Sequence, residues 1–495
     1  MVHRTRYILA TCSLAALLSV SGLRAQQQPA QQPAQQGSQQ PAQTQDQSAA
    51  PIPAYHSPLA SQADNGENPT PTDSGDVVPN DRALSGAQDL SLGSPETSRS
   101  YWQPHADVIA TANTNALGGS SGWTTYSSLF GGVDLHKIEG RSDTTLGVVG
   151  GAILSNDGGT SNYAISELTF AEKLTVRRFK FSFLDNMDYL PQAGLGYGGG
   201  FGLGLPGGGS LGLQPGLTPT DTVLTTQGSR IDNSFLAESD VSLTPRSSLT
   251  LLGGYSLLDY LGNSINQLNF HTITGQAGYN RKLSAKDNVA VFYRFTAIRY
   301  NSVNQSINDN IVNVSYGRTV TGRLAFQLAA GPDYTTFSIP ILTGSTGTAT
   351  SSSQLNWSAS GSLTYQLRRA SIRASYFHGV GAGSGVLAGS VTDTLTANFS
   401  RQLTRTVSGG ISGGYARNRA LAIPGYGIFN ESYDYTFAGA NMSRPFGRRL
   451  SLYLSYQAQY QFANVSFCAG VTCGTSVVAH IISVGLHWQG RPMLF

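Results

Sequence analysis

Residues Leu450–Phe462 read LSLYLSYQAQYQF, a stretch in which every second side chain is apolar. One face of an extended chain would carry Leu, Leu, Leu, Tyr, Ala, Tyr and Phe, and the opposite face Ser, Tyr, Ser and three Gln. A helix would instead need apolar residues at steps of three and four, so this period of two predicts a β-strand. The stretch is also long enough to cross a bilayer, because a tilted membrane-spanning strand needs about 9–11 residues.

Two further stretches, Leu355–Arg368 and Val391–Arg401, repeat the alternation. Their polar faces consist mainly of Ser, Thr, Asn and Gln, and only 12% of the chain is charged. A large soluble β-sandwich also alternates, but its strands usually have about 5–6 residues. Long strands and aromatic residues near strand ends favour a transmembrane β-barrel with interfacial girdles. The aromatic residues that suit such girdles are Tyr189, Tyr260, Tyr300, Tyr334, Tyr376, Tyr415, Tyr433 and Trp488.

Tight, mostly basic turns alternate with longer Gly/Ser/Asn-rich loops from about residue 100 onward. Together they predict about 18 antiparallel strands, an even number that returns both ends of the barrel to the rim of short turns. The predicted fold class for 100–495 is therefore all-β, an antiparallel transmembrane β-barrel. Alternation weakens at Asn266–Leu283 and Asn304–Val320, where bulges are expected. The tight turns centre on 137–143, 174–178, 243–248, 283–288, 318–323, 367–371, 401–406 and 443–449, and the loops lie at 115–122, 155–162, 189–232, 257–267, 299–309, 338–354, 380–391, 416–432 and 463–476.

The first 25 residues have the pattern of an export signal. His3, Arg4 and Arg6 precede an apolar core, and a small-residue cleavage site ends at Ala25. Residues 26–99 are rich in Gln, Pro, Ala and Ser, a composition that cannot bury enough apolar surface to fold alone. They are predicted to form a disordered periplasmic tail. A location in the barrel lumen and contact with the cell wall are the alternatives.

Two cysteines, Cys468 and Cys473, remain once the signal is removed, and both lie in the last long loop. Thiols exported to an oxidising compartment can stay paired, so a structural disulfide at the loop tip is predicted. A metal site is the alternative, but no His or carboxylate lies nearby in the sequence to complete it. We therefore expect no cofactor and no metal.

Charged residues on the polar faces of the strands are candidates for the lining of a pore. On the lipid face near the bilayer midplane an Arg or Lys would cost about 2–4 kcal/mol, which favours an inward orientation. The mixed signs predict a hydrated lumen without strong ion selectivity, although single charges can equally serve to cross-link the wall. The candidates are Glu167, Lys173, Glu238, Asp240, Arg294, Arg368, Arg373 and Asp434.

No catalytic motif is recognisable in the sequence. The eight histidines are scattered, and none lies in a nucleophile elbow or a metal-binding helix pattern. His378 and His480 are the two that lie near a loop rim or on the last strand, and both are interpreted as polar wall residues. Basic residues form no compact patch of the kind that nucleic-acid binding needs. The sequence therefore predicts neither an enzyme nor a nucleic-acid partner.

The C-terminal strand resembles the last strand of Gram-negative outer-membrane β-barrel proteins of porin-like organisation. Ile482, Val484, Leu486 and Trp488 alternate, and the chain ends in Phe495, as in the signal that the barrel-assembly machinery reads in such proteins. The segment 489–492 departs from the pattern, because its proline cannot donate to a strand ladder. Either Trp488 or Phe495 can therefore be the recognised aromatic residue.

The resemblance implies a protein of the cell outer membrane that contacts lipids and passes small hydrophilic solutes. A barrel of this size has a lumen too wide for side chains alone to fill. As in porins, the long loop 189–232 would fold inward as a constriction, with an external flap as the alternative. A plugged structural barrel or one associated with secretion or polysaccharide is the alternative function, and an outer-membrane hydrolase is a third. Porins are commonly trimers, but nothing in the sequence indicates an oligomer interface.

Overall fold

The computed structural model describes eleven segments of the chain: 100–114, 122–156, 162–190, 230–261, 269–301, 305–341, 348–381, 389–421, 432–447, 449–463 and 476–495. The predicted export signal, the tail 26–99, both loop cysteines and most of loop 189–232 lie outside these residues. Within the described segments there is no helix long and apolar enough to cross a membrane.

Nineteen strands make up the described segments. They are β1 Tyr101–Asn113, β2 Thr124–Glu139, β3 Ser142–Ser155, β4 Tyr163–Val176, β5 Phe179–Leu190, β6 Arg230–Thr244, β7 Ser247–Tyr260, β8 Phe270–Lys282, β9 Asp287–Tyr300, β10 Ser306–Thr321, β11 Leu324–Ile341, β12 Thr348–Leu367, β13 Ala370–Gly381, β14 Ser390–Gln402, β15 Ser408–Ala420, β16 Ser432–Phe446, β17 Leu450–Ala463, β18 Ser476–Gln489 and β19 Met493–Leu494.

The sheet closes on itself. Each of β1 to β18 pairs antiparallel with its sequence neighbours, and β18 pairs with β1 from His105↔Gln489 to Asn113↔Ile481. The two-residue strand β19 only extends the seam, opposite Tyr101 and Trp102. The predicted antiparallel barrel of about 18 strands is confirmed. Pro492 lies between β18 and β19, where the sequence predicted an interruption of the ladder.

The two faces of the wall differ as the alternation predicted. On β17, Leu454, Tyr456 and Tyr460 are each more than 40% exposed, whereas Gln457 and Gln461 are buried on the opposite face. The sheet closes on itself, and its exposed apolar face packs against no second sheet. That face is therefore the outside of the cylinder. This excludes the β-sandwich, and we call the two surfaces the outer face and the inner face.

Short and long connections lie at opposite rims. The tight-turn rim contains turns such as Gly140–Arg141, where Gly140 has a left-handed backbone (φ 60°). The long-loop rim contains the ends of the strands that flank the undescribed loops. Of the two expected irregularities, a register shift occurs in β10 between Thr319 and Thr321, but β8 is regular. Its alternation is weak in the sequence because Gly275 and Ala277 occupy outer-face positions.

Candidate functional site: inner wall and mouth of the barrel

Six of the eight predicted pore-lining residues lie on the inner face. Arg373 is exposed, but it pairs with Thr364, which is buried on the inner face of β12. The role of these six residues in a pore stays a prediction, because position alone does not show what passes through the lumen. The six are Glu167 and Lys173 on β4, Glu238 and Asp240 on β6, Arg294 on β9 and Arg373 on β13.

The other two residues lie elsewhere. Arg368 is exposed in the turn that follows β12, one residue beyond the end of the strand. Asp434 is on the outer face, because β16 directs Tyr435 and Phe437 inward. Gly414 on β15 makes room for this, since a Cβ there would lie 2.3 Å from Cε1 of Phe437. The inner face of β16 thus carries aromatic rings that the sequence pattern would place outside.

Three carboxylates form a row on the inner wall near the long-loop rim. Glu167, Asp188 and Asp232 occupy directly opposed positions on β4, β5 and β6. Side chains so paired are roughly 5 Å apart at Cβ, a distance at which like charges repel. Arg230, 1% exposed and two residues from Asp232, supplies the nearest cation on these strands. The sequence analysis missed Asp188 and Asp232 because each lies at a strand end beside the longest loop.

A second charged group lies across β9, β10 and β11. Arg294 faces the buried carboxylates of Asp309 and Asp333. The hydroxyl of Thr335 lies 3.0 Å from Oδ1 of each carboxylate, so it can donate to one of them at a time. Two carboxylates and one guanidinium therefore neutralise each other in part inside the wall. The sequence predicted the arginine and missed both acids.

Replacing Arg294 by methionine is expected to lower the free energy of unfolding by about 3–5 kcal/mol, because two buried carboxylates lose their cation. Adding Asp309→Asn and Asp333→Asn should recover most of the loss. Urea unfolding in lipid vesicles, followed by tryptophan fluorescence, measures both effects. Arg373→Met is the matched control, since that arginine is exposed and should cost less than about 0.5 kcal/mol. An equal loss in the control would show that Arg294 has no special role in the group.

Over the described strands the inner face is acidic. Register places ten carboxyl groups but only six Lys or Arg side chains on it, an excess of four acidic groups with histidines left aside. The signs are mixed, as the sequence predicted, with acidic groups in the majority; whether the lumen selects ions stays a prediction. The carboxylates are Asp107, Asp134, Asp143, Glu167, Asp188, Asp232, Glu238, Asp240, Asp309 and Asp333, and the cations are Lys173, Lys180, Arg230, Lys282, Arg294 and Arg373.

An apolar cluster spans the mouth at the long-loop rim, and we call it the apolar bridge. Its members come from the long-loop ends of β7 to β11 on one side and of β13 and β15 on the other. It is formed by buried Leu258, Tyr260, Phe270, Ile298, Tyr300, Ile307, Phe337, Val380 and Leu421.

Gly389, just before β14, is the point at which the two sides of the bridge meet. A Cβ at this position would lie 2.3 Å from Cδ1 of Ile307 on β10 and 3.1 Å from Cδ1 of Leu421. The Gly389 amide also donates a hydrogen bond to the Tyr300 hydroxyl. Because β10 and β14 are four positions apart in the sheet, roughly 19 Å along the wall, the contact crosses the mouth instead of following the wall.

The two histidines considered in the sequence lie on the outer face. His378 stacks on Trp357, with ring centroids 4.0 Å apart, and its Nδ1 lies 2.6 Å from Oδ1 of Asp393. His480 stacks on Tyr456, whose hydroxyl is 3.0 Å from the histidine Nδ1. Both are therefore wall residues, but on the lipid-facing side.

Three histidine–carboxylate pairs that the sequence did not reveal lie on the inner face near the barrel seam. A hydrolase of the Ser-His-Asp type would need a hydroxyl bonded to the free nitrogen of such a histidine. The Nε2 atoms of His105 and His487 are buried and have no hydrogen-bond partner among the described residues. The pairs are His105–Asp134 at 3.2 Å, His136–Asp143 at 2.8 Å and His487–Asp107 at 2.9 Å.

No family model and no curated protein matches the sequence. Solved structures of similar architecture include OccK2 (OpdF) of Pseudomonas aeruginosa, 9% identical over 80% of this chain and 98% of that one, with a TM-score of 0.41. OccAB2 of Acinetobacter baumannii is 10% identical over 80% and 100% of the two chains, with a TM-score of 0.42. The outer membrane protein OpdK of Pseudomonas aeruginosa is 10% identical over 78% and 99%, at 0.38. At these values the likeness carries no argument about what this chain does.

Proposed function

We propose that this protein is a passive, porin-like channel of a bacterial outer membrane for small hydrophilic solutes. The observation that supports this most directly is the closed 18-strand wall with an apolar outer face and a polar inner face. A cylinder of this size leaves a lumen that wall side chains do not fill. Inner-face runs such as Ser358, Ser360, Ser362 and Thr364 suit a hydrated interior.

The acidic inner wall extends the proposal to selectivity. A lumen with a net negative wall raises the local concentration of cations and lowers that of anions. The channel should therefore favour cationic and neutral solutes over anions of the same size. The row of Glu167, Asp188 and Asp232 contributes wherever its carboxyl groups are ionised, because three of them lie side by side there.

Orientation and maturation complete the proposal. The tight-turn rim and both ends of the barrel face the periplasm, and the long loops face outward, as is usual for such barrels. The segment 1–25 is a cleaved export signal, 26–99 a disordered periplasmic tail, and the C-terminal strand the signal for the barrel-assembly machinery. Cys468 and Cys473 form a disulfide in the last long loop, which the mass of the unreduced loop peptide tests.

Purified protein in planar bilayers should produce stepwise conductance, with potassium more permeant than chloride. The expectation follows from a continuous polar lumen with an acidic wall. A panel of ions and uncharged sugars of increasing size measures selectivity and cut-off. A folded barrel that never conducts, under any voltage or salt, would contradict the channel function.

The apolar bridge favours a second candidate, a plugged structural or secretion-associated barrel. Apolar contacts across the mouth narrow the path that a hydrophilic solute would take. In that case the intact protein would show no conductance in planar bilayers, and conductance would appear only after the apolar bridge is disrupted. The same measurements therefore separate an open channel from a closed one. No catalytic role is proposed.

A further inference from the structure

A charged cluster lies on the outer face near the long-loop rim, where the surrounding wall is apolar. Asp393 on β14, Arg417 on β15 and Asp434 on β16 occupy one row of paired positions. Arg419 lies two residues beyond Arg417 on the same face. We call these four residues the outer-face cluster. Ionised groups on the lipid side of a barrel need polar partners, because acyl chains offer none.

A row of tyrosines beside the outer-face cluster favours a position at the level of lipid headgroups. The adjoining row of outer-face positions, on the side of the apolar band, contains Tyr376, Tyr415 and Tyr460. Tyrosines in such a row form the aromatic girdle at the boundary of the hydrocarbon region. The next rows toward the tight-turn rim are apolar, with Ala397 and Phe399 on β14. The outer-face cluster thus lies just beyond the girdle.

The two carboxylates are held by neighbouring donors on the wall. Oδ1 of Asp393 accepts a hydrogen bond of 3.0 Å from the Tyr376 hydroxyl and lies 2.6 Å from Nδ1 of His378. Oδ1 of Asp434 accepts one of 3.0 Å from the Tyr415 hydroxyl. Both acids are therefore fixed in place on the wall and can orient the arginines beside them.

The two arginines use little of their bonding capacity. Arg419 approaches Asp393 at 3.6 Å and Arg417 approaches Asp434 at 3.7 Å, and both side chains are 49% exposed. These are ion-pair distances beyond hydrogen-bonding range, and within the described part of the chain neither guanidinium makes a hydrogen bond. A guanidinium has five N–H donors.

Arg299 on β9 shows the contrast, since it lies on the same face and near the same rim. Its guanidinium donates to the carbonyl oxygens of Ile298 at 2.9 Å and Ile307 at 3.0 Å, and to Oδ1 of Asn308 at 2.6 Å. The protein itself satisfies this arginine. Among the described residues, the N–H donors of Arg417 and Arg419 are therefore unused because of where these two residues lie, and not because arginines at this rim generally lack acceptors.

We propose that Arg417 and Arg419 bind the phosphate of an anionic lipid headgroup in the leaflet at the long-loop rim. Their Cα atoms are about 7 Å apart along one strand, so the two guanidinium groups can converge on one phosphate group. The carboxylates, which are already hydrogen-bonded to Tyr376, Tyr415 and His378, direct the guanidinium groups toward the headgroup layer. A second copy of the chain is the competing occupant of this surface.

The full-length protein, reconstituted in nanodiscs of phosphatidylcholine with a minor fraction of phosphatidylglycerol, tests the proposal. Native mass spectrometry then counts the phosphatidylglycerol molecules that stay bound. The double variant R417Q/R419Q should weaken retention about 30-fold, converted from roughly 1 kcal/mol for each basic residue near an anionic surface. R299Q, the matched control, should retain the lipid as the wild type does.

Several results would overturn the assignment. Equal retention in R417Q/R419Q and wild type, or equal loss in R299Q, would remove the specific site. A change of oligomeric state in the double variant with unchanged lipid retention would assign the surface to a second copy. The wild type alone supplies a further test that needs no variant to fold. If it retains phosphatidylglycerol no better than phosphatidylcholine at equal mole fraction, no site for an anionic headgroup exists.

Discussion

Replacing Gly389 by valine should raise single-channel conductance by about twofold or more, because separating the two sides of the apolar bridge widens the mouth of a lumen of this size. Gly389 has φ 85°, a backbone conformation that a β-branched residue does not tolerate. The new Cβ would also lie 2.3 Å from Cδ1 of Ile307. Both effects move residue 389 away from β10 and separate the two sides of the apolar bridge.

Gly140→Val is the matched control for backbone strain. Gly140 also has a left-handed backbone, φ 60°, but lies in a tight turn with nothing within 4 Å of a built Cβ. This variant should leave conductance unchanged. The pair Ile307→Ala and Leu421→Ala removes apolar contacts without backbone strain and should act in the same direction as Gly389→Val. If both bridge variants conduct like the wild type, the apolar bridge does not limit flow.

The second large effect concerns selectivity. The triple variant E167Q/D188N/D232N should lower the ratio of potassium to chloride permeability by up to about tenfold at low salt. One unit charge at about 8 Å in water contributes roughly 0.5 kcal/mol, and three charges are removed. With Arg230 beside them, this section of wall changes from net negative to net positive. Reversal potentials under a potassium chloride gradient, in mildly alkaline buffer to favour ionised carboxylates, measure the ratio.

The matched control removes three carboxylates from the outer face of neighbouring strands. Glu172, Asp185 and Asp259 face outward on β4, β5 and β7. Their amide variants change the net charge of the protein equally but leave the lumen unaltered, so the permeability ratio should stay that of the wild type. A similar shift in both triple variants would show that total charge, and not the inner row, sets selectivity.

Much of the barrel could be predicted because period two is a local property. Leu450–Phe462 specifies a strand and its two faces without reference to any other segment, and the structure confirms both. The same rule failed at Asp434, where β16 directs Tyr435 and Phe437 inward. Small residues on the neighbouring strand, such as Gly414, decide that orientation, and a single-strand pattern does not contain them.

The inner-face acids illustrate a second limit. Asp188 and Asp232 are separated by the longest loop in the chain, yet they occupy opposed positions once β5 and β6 pair. Each alone resembles an ordinary polar residue at a strand end. Their repulsion, and the excess of acid on the inner wall, exist only after register is known.

The length of the strands, their number and the transmembrane β-barrel fold follow from the amino-acid order alone, because side-chain alternation and turn composition act over a few residues. The register between strands, the apolar bridge and the outer-face cluster are determined only by the pairing of the strands in the tertiary structure. Each of these joins residues from different strands: closure brings Gly389 to Ile307, and the register of β15 with β16 brings Arg417 to Asp434. Contacts between distant parts of the chain depend on the distance between strands in space, which a linear sequence does not specify.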